Sequence, residues 1–293
     1  MITPDKIRMT CLTAIFSNSD LSNLLTLKGG NALKLLGLTQ RQSQDLDFSI
    51  AESKRLDKEI HGPIFFEVIS HSFLDLGYKT VNFKFEHRPS KRGEHTPPFW
   101  GGYSVTFTII SEEVFQQLTD NQKKNPGAYA ESIENSQKKI CIDLSFDEIT
   151  EDRQQYNYDG VDIFIYSPMM IVDEKIRATC QQLPDYRISS PKTRSRDLYD
   201  IYTTLTSTSE YFITIDSPEN IAIIRKMFDI KQVPINLLEQ FINPSQELLQ
   251  RLETDYNNKV IPQIPSNERV TFNFLIGFNK KIFERVYQGL LRS

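Results

Sequence analysis

The sequence predicts an α/β protein of the α+β kind, with a small mixed sheet in its first half and a helical domain after it. Up to residue 165, apolar residues alternate with polar ones in short runs, the period of half-buried strands. After Ser167-Pro168 the spacing becomes that of amphipathic helices. A division at 1–167 and 168–293 follows, and a chain of 293 residues suits one large domain or two modest ones.

Thr3-Pro4 reads as an N-cap followed by proline at the first helical position, with Ile7, Cys11, Ala14 and Ile15 at helical spacing behind it. Residues 24–27 are an apolar run that stops at Gly29-Gly30. Ala32, Leu33, Leu35 and Leu36 then lead to Gly37, so the segment reads as a strand or helix end, a tight turn and a short helix. Leu46, Phe48 and Ile50 alternate with Asp45, Asp47 and Ser49, which gives a strand with one apolar and one acidic face. Residues 56–76 read as a helix that Gly62-Pro63 must bend or break. Val81, Phe83 and Phe85, and then Val105, Phe107 and Ile109, mark two further strands, with a polar, basic loop at 87–95 between them. Ile140, Ile142, Leu144 and Phe146 mark another strand, and Val161, Ile163 and Ile165 one more. Helices are expected over 169–182, 193–205, 219–228, 237–241, 248–256 and 270–291.

Composition narrows the function. Lys and Arg number 34 against 38 Asp and Glu, a formal charge of −4, so contact with nucleic acid must come from a local basic patch. The three cysteines, Cys11, Cys141 and Cys180, are odd in number and widely spaced, with no Cys-x-x-Cys pair to suggest zinc. They fit a reducing cytoplasm, and Cys141 reads as a small packed side chain of its strand. The N-terminus lacks a basic region followed by an apolar run, and no stretch approaches the roughly 20 apolar residues of a membrane helix. A cytoplasmic protein without membrane contact is expected.

Asp45 and Asp47 are two apart on a strand and so point to one side; Asp143, between Ile142 and Leu144, also faces away from its strand's apolar side. If the two strands are neighbours, three carboxylates converge. Like charges in that arrangement repel unless a cation sits among them. Oxygen-only ligands favour Mg²⁺ or Mn²⁺ over zinc, and such ions stabilise the attacking and leaving oxygens of a phosphoryl displacement. Gly29-Gly30 offers side-chain-free backbone beside a helix N-terminus, where amides hold phosphate. Taken singly, an Asp-x-Asp on a strand is most often a solvated face and a Gly-Gly only a turn.

Together, Gly29-Gly30-Asn31, Asp45-Leu46-Asp47-Phe48 and Ile142-Asp143-Leu144 resemble the glycine-turn and three-carboxylate pattern of the polymerase-beta-like nucleotidyltransferase superfamily. More narrowly, Leu27-Lys28-Gly29-Gly30-Asn31-Ala32-Leu33 with Arg41-x-Ser43-x-Asp45-Leu46-Asp47-Phe48 resembles the AbiEii family of nucleotidyltransferase toxins. That family usually carries Ser or Thr where this chain has Asn31. Glu174-Lys175-Ile176-Arg177-Ala178-Thr179 and Arg194-Ser195-Arg196-Asp197-Leu198-Tyr199-Asp200 are similar to two later elements of the family. The resemblance implies catalytic roles for Asp45, Asp47, Asp143, Lys175 and Asp197, with metal held by the three aspartates. It implies nucleotide contacts for Lys28, Gly29, Gly30, Asn31, Arg41, Ser43, Lys175, Thr179 and Arg194, and a helical domain that closes the nucleotide cleft.

Without the resemblance, Lys175 reads as a solvated helix lysine, and Asp200 as the partner of Arg196 one turn earlier. The implied reaction moves a nucleoside monophosphate from a nucleoside triphosphate to an acceptor hydroxyl. The implied acceptor is RNA, notably the tRNA 3′ end, and the implied protein partner is a cognate antitoxin. Transfer to a small molecule such as an antibiotic is the alternative, as is a nucleotide-binding regulatory protein with little turnover. The loop at 87–95 reads as solvated or as an RNA contact, and Trp100 as a packing residue.

Overall fold

The structure, a computed structural model, describes residues 2–41, 45–91, 96–97, 99–133, 137–188 and 192–293. Ser43, and residues 92–95 of the basic loop, lie outside the described residues. The chain forms two compact units. The first comprises Met1–Leu27, Asp45–Thr150 and Gln154–Ile165; the second comprises Lys28–Gln44, Glu151–Arg153 and Tyr166–Ser293.

In the first unit, α1 (Pro4–Phe16) starts as its cap predicts: the Thr3 hydroxyl accepts from the Lys6 amide 3.2 Å away. The short α2 (Ser19–Leu24) leads into β1 (Leu25–Lys28), all of it buried. Its last residue, Lys28, and α3 (Gly29–Leu35) belong to the second unit. Next come β2 (Leu46–Ala51), α4 (Lys58–Leu74), β3 (Tyr78–Arg88), β4 (Gly102–Ser111), α5 (Glu112–Gln117), β5 (Ile140–Glu148), β6 (Gln154–Tyr158) and β7 (Val161–Ile165). The described strands form one mixed sheet in the order β3-β4-β5-β2-β1-β7-β6.

α4 runs unbroken through Pro63, because Pro63 lies close to the helix start and the hydrogen bond it forfeits is to the first-turn carbonyl of Glu59. Strand β6 escapes the sequence pattern: Gln154-Gln155-Tyr156-Asn157-Tyr158 is a half-exposed edge without apolar alternation. A second departure lies in β3. Asn82 adopts φ 54°, and the β3–β4 register shifts between Val81 and Lys84. Asparagine tolerates this left-handed conformation, and the resulting bulge reverses the alternation. Val81 therefore pairs with Thr108 on the polar face, while Phe85 pairs with Val105 on the apolar one. The apolar face holds the core, with Phe16 against Phe48 at 6.0 Å, Phe65 against Phe85 at 5.4 Å and Phe73 against Phe107 at 5.7 Å. Each such pair buries ring surface and adds roughly 1 kcal/mol beyond it.

The second unit is helical. It holds α3, α6 (Pro168–Cys180), α7 (Ser195–Ser207), α8 (Ser209–Thr214), α9 (Pro218–Ile230), α10 (Glu239–Ile242), α11 (Gln246–Asp255) and α12 (Phe272–Arg292). α6 packs on α7 and α9, and α12 packs on α7, α9 and α10. Gly289 allows α12 to approach α9, since a Cβ there would fall 2.5 Å from Ile221 Cδ1. Ile171, Ile176 and Cys180 are buried in the core of this unit, on a helix most of whose circumference is covered. Among the described residues, no helix is long and apolar enough to cross a membrane.

Candidate active site

β2 and β5 are neighbours and run parallel, with Asp47 directly opposite Asp143. Residues paired in this way project to the same side of a sheet, so the two carboxylates share the polar face. Asp45 lies one residue before the paired part of β2 and is exposed. Its charge still reaches Cys141, whose thiol is pushed up to about 11, first by burial and then by Asp143 and Asp45, against the lowering effect of its contact with Ser104. A thiol so raised is not a nucleophile near neutral pH. Cys141 is half-buried on the polar face, a small side chain packed 3.5 Å from Ser104 Oγ and 3.6 Å from Asp143 Oδ1.

Two residues that sequence reasoning passed over hold Asp143. Arg88 Nη1 donates to Oδ2, and the Ser104 hydroxyl donates to Oδ1 at 3.2 Å. Arg88 lies in β3, which extends past the sequence-predicted strand and takes His87 and Arg88 from the expected loop. Burial pulls the Arg88 pKa down, but the hydrogen bond and charge of Asp143, with smaller contributions from Cys141 and Asp47, raise it overall. Continuing the strand's alternation through Lys84, Glu86 and Arg88 was the signal that could have found it.

Among the described residues, no three His, Cys, Asp or Glu side chains form a ready-made metal cage. The donor chemistry nonetheless fits a hard cation. Asp45, Asp47 and Asp143 offer only oxygen, Asp47 and Asp143 stand in register on neighbouring strands, and a guanidinium already supplies positive charge to Asp143.

The remaining sequence-predicted residues, apart from Ser43, lie in the second unit. Lys28 is the extended N-cap of α3, and Gly29 follows at φ 73°, a conformation that favours glycine. No side chain caps this helix; Gly30 and Asn31 are buried in its first turn. α3 packs on α6 and α7, which carry the rest of the group. Lys175 Nζ is 2.8 Å from Asp197 Oδ1 and 2.8 Å from Asp200 Oδ2. Arg41 grips Asp200 with two nitrogens, at 3.1 and 2.8 Å, and reaches Gln263 Oε1 at 3.2 Å. Arg194 Nη1 donates to Asp197 Oδ2 at 3.1 Å. Thr179 is fully buried and its hydroxyl donates to the Lys175 carbonyl at 2.7 Å, within its own helix.

Lys175 is therefore not the solvated lysine of the bare helix reading, and Asp200 is not the surface partner of Arg196. α7 turns Asp200 inward, where it is wholly buried between Arg41 and Lys175, while Arg196 stays exposed. Burial alone would raise both acid pKa values. Lys175, followed by Arg194 and Arg196, instead draws Asp197 well below the usual carboxylate range, and Arg41 with Lys175 lowers Asp200. Burial lowers Lys175, and the two aspartates more than restore it. Arg41, Lys175 and Arg194 carry one more positive charge than Asp197 and Asp200 remove, and Arg194 is the most exposed of them.

A family profile described as "Nucleotidyl transferase AbiEii toxin, Type IV TA system" matches residues 10–276. No curated protein matches the chain. A solved structure of a candidate nucleotidyltransferase from H. pylori superposes with a TM-score of 0.50 at 14% identity, covering 99% of this chain and 95% of that one. JHP933 from Helicobacter pylori gives 0.45 at 14% identity over 98% and 92% of the two chains. An antigenic nucleotidyltransferase-like protein from Paracoccidioides brasiliensis gives 0.35 at 14% identity over 77% and 94%. At such identity the first likeness bears on the fold alone, and the other two are too distant in shape to add to it.

Proposed function

Because the chain belongs to the AbiEii family of nucleotidyltransferase toxins, we propose that it moves a nucleoside monophosphate from a nucleoside triphosphate to the hydroxyl at the tRNA 3′ end. The observation that carries this reading is the pairing of Asp47 with Asp143 on the polar face of the sheet, with Asp45 beside them. In the proposed step the acceptor oxygen bonds to the α-phosphorus, the bond to the β-phosphate oxygen breaks and pyrophosphate leaves. The hydroxyl proton passes to a carboxylate of the set. Asp45, Asp47 and Asp143 would hold Mg²⁺ or Mn²⁺, which supplies Lewis-acid stabilisation of the attacking and leaving oxygens.

Lys28, Gly29, Gly30, Asn31, Arg41, Ser43, Lys175, Thr179 and Arg194 are assigned to nucleotide binding. Among them, Arg194 is the best placed for direct phosphate contact, as it is partly exposed. Arg41 and Thr179 are buried, and their part in nucleotide binding is indirect: Arg41 holds Asp200, and the Thr179 hydroxyl bonds back within α6. Asp197 positions Lys175 and Arg194 through its two oxygens. The proposed setting is the cytoplasm, with a cognate antitoxin as protein partner.

Incubation with each labelled nucleoside triphosphate, and separately with tRNA and with small hydroxyl acceptors, tests the reading. Label should enter tRNA, stop with a chelator and return with Mg²⁺. Asp47→Asn should abolish transfer without lowering the melting temperature, because the amide keeps the shape and loses the charge. Transfer that survives exhaustive chelation would sink the metal step. Label in a small molecule alone would redirect the acceptor.

A further inference from the structure

Arg88 touches Asp143 from two strands away. β3 is an edge strand, β4 lies next to it, and β5 carries the aspartate. On the carboxylate face, Arg88 is in register with Gly102, and Gly102 with Ser145. The path from Arg88 to β5 thus crosses a residue with no side chain, next to Ser104, which stands opposite Asp143. Guanidinium and hydroxyl together take one oxygen each of that carboxylate. A divalent ion needs the same oxygen lone pairs, and guanidinium, which has only donors, cannot share in coordinating it.

We infer that Arg88 is an internal counter-cation of the catalytic face: it neutralises Asp143 before a divalent ion binds and must leave that oxygen for the ion to take its place. The inference rests on the metal reading of Asp45, Asp47 and Asp143. The Arg88 side chain is 53% exposed and that of Asp143 20% exposed, so the exchange needs a side-chain swing into solvent and no unfolding. Without this arginine, three carboxylates would stand near one another with less compensating charge, a state that costs stability and attracts cations more strongly.

Mn²⁺ binding to the full chain, followed by the electron paramagnetic resonance of the free ion, is the test. It is run on the wild type, Arg88→Gln, Arg88→Met and Asp47→Asn. The two Arg88 variants keep an aliphatic stem and lose the charge. They should bind Mn²⁺ about fivefold more tightly than wild type. The gap should narrow at high salt. Without metal they should melt below wild type, and Mn²⁺ should raise their melting temperature by more. Equal or weaker binding by both Arg88 variants, with binding lost in Asp47→Asn, overturns the role of Arg88 and leaves the metal reading intact. If none of the four chains binds Mn²⁺, the metal reading fails and the inference fails with it.

Discussion

At the scale of single residues, the cluster of Arg41, Lys175, Arg194, Asp197 and Asp200 shows how burial changes what a charged side chain is worth. Exposed ion pairs contribute little, whereas removing one partner of a buried pair leaves a charge without solvent or counter-ion. Asp200 is wholly buried between Arg41 and Lys175. Asp200→Asn should therefore destabilise the chain by about 3 kcal/mol in urea unfolding. The pH dependence follows from the directions of the shifts. Asp197 and Asp200 titrate below their ordinary 3.8 when folded, so their contribution is complete above about pH 4 and is lost as pH falls further. Lys175 is held above its ordinary 10.5, so its contribution is complete below that pH and is lost only as pH rises through the raised value. Urea midpoints measured against pH should fall on the acid side below about 4, and less steeply in Asp200→Asn. An acid limb of unchanged slope in that variant would show that Asp200 does not supply it.

At the scale of elements, the carboxylate face depends on register. Strand β4 sets Ser104 opposite Asp143, and β2 sets Asp47 opposite the same residue. Gly102 guards the first of these alignments. A Cβ at that position would lie 1.6 Å from the Leu144 carbonyl oxygen, so the strands must part to accept one. Gly102→Ala should cost about 3 kcal/mol and lower transfer through the displaced Ser104, read as a lower melting temperature together with reduced label incorporation. A variant with wild-type melting would show that β4 and β5 can shift at no cost. Periodicity revealed most of the strands and helices, because one face of each packs on a core. It missed β6, whose edge position asks for no apolar face, and it put Val81 on the wrong face, because a single residue in a left-handed conformation inverts the alternation before it.

At the scale of the molecule, a chain with formal charge −4 cannot gather RNA by its overall field, so any effect on tRNA must come through turnover rather than coating. Under the proposed reaction each event removes the free hydroxyl that aminoacylation requires, and few enzyme molecules disable many acceptors. Expression of the chain alone should slow growth of a bacterial host, and Asp45→Ala should relieve the arrest at equal protein level. Arrest that persists undiminished in Asp45→Ala would separate toxicity from the carboxylates.

The sequence by itself determined the fold class, the change from sheet to helices near residue 165 and the family, because each of these is written in local period or in the order of short motifs. What only the tertiary structure decided is which charges meet. The pairing of Arg88 with Asp143 spans 55 residues and that of Arg41 with Asp200 spans 159. No local pattern reports a partner at that separation. Strand order brings Arg88 to Asp143, and helix packing turns Asp200 inward to Arg41 and Lys175 when its position in sequence offered Arg196 as the simpler partner. The physical reason is that a charge buried by packing must be compensated where it lies, so long-range packing, rather than spacing along the chain, selects its counter-ion.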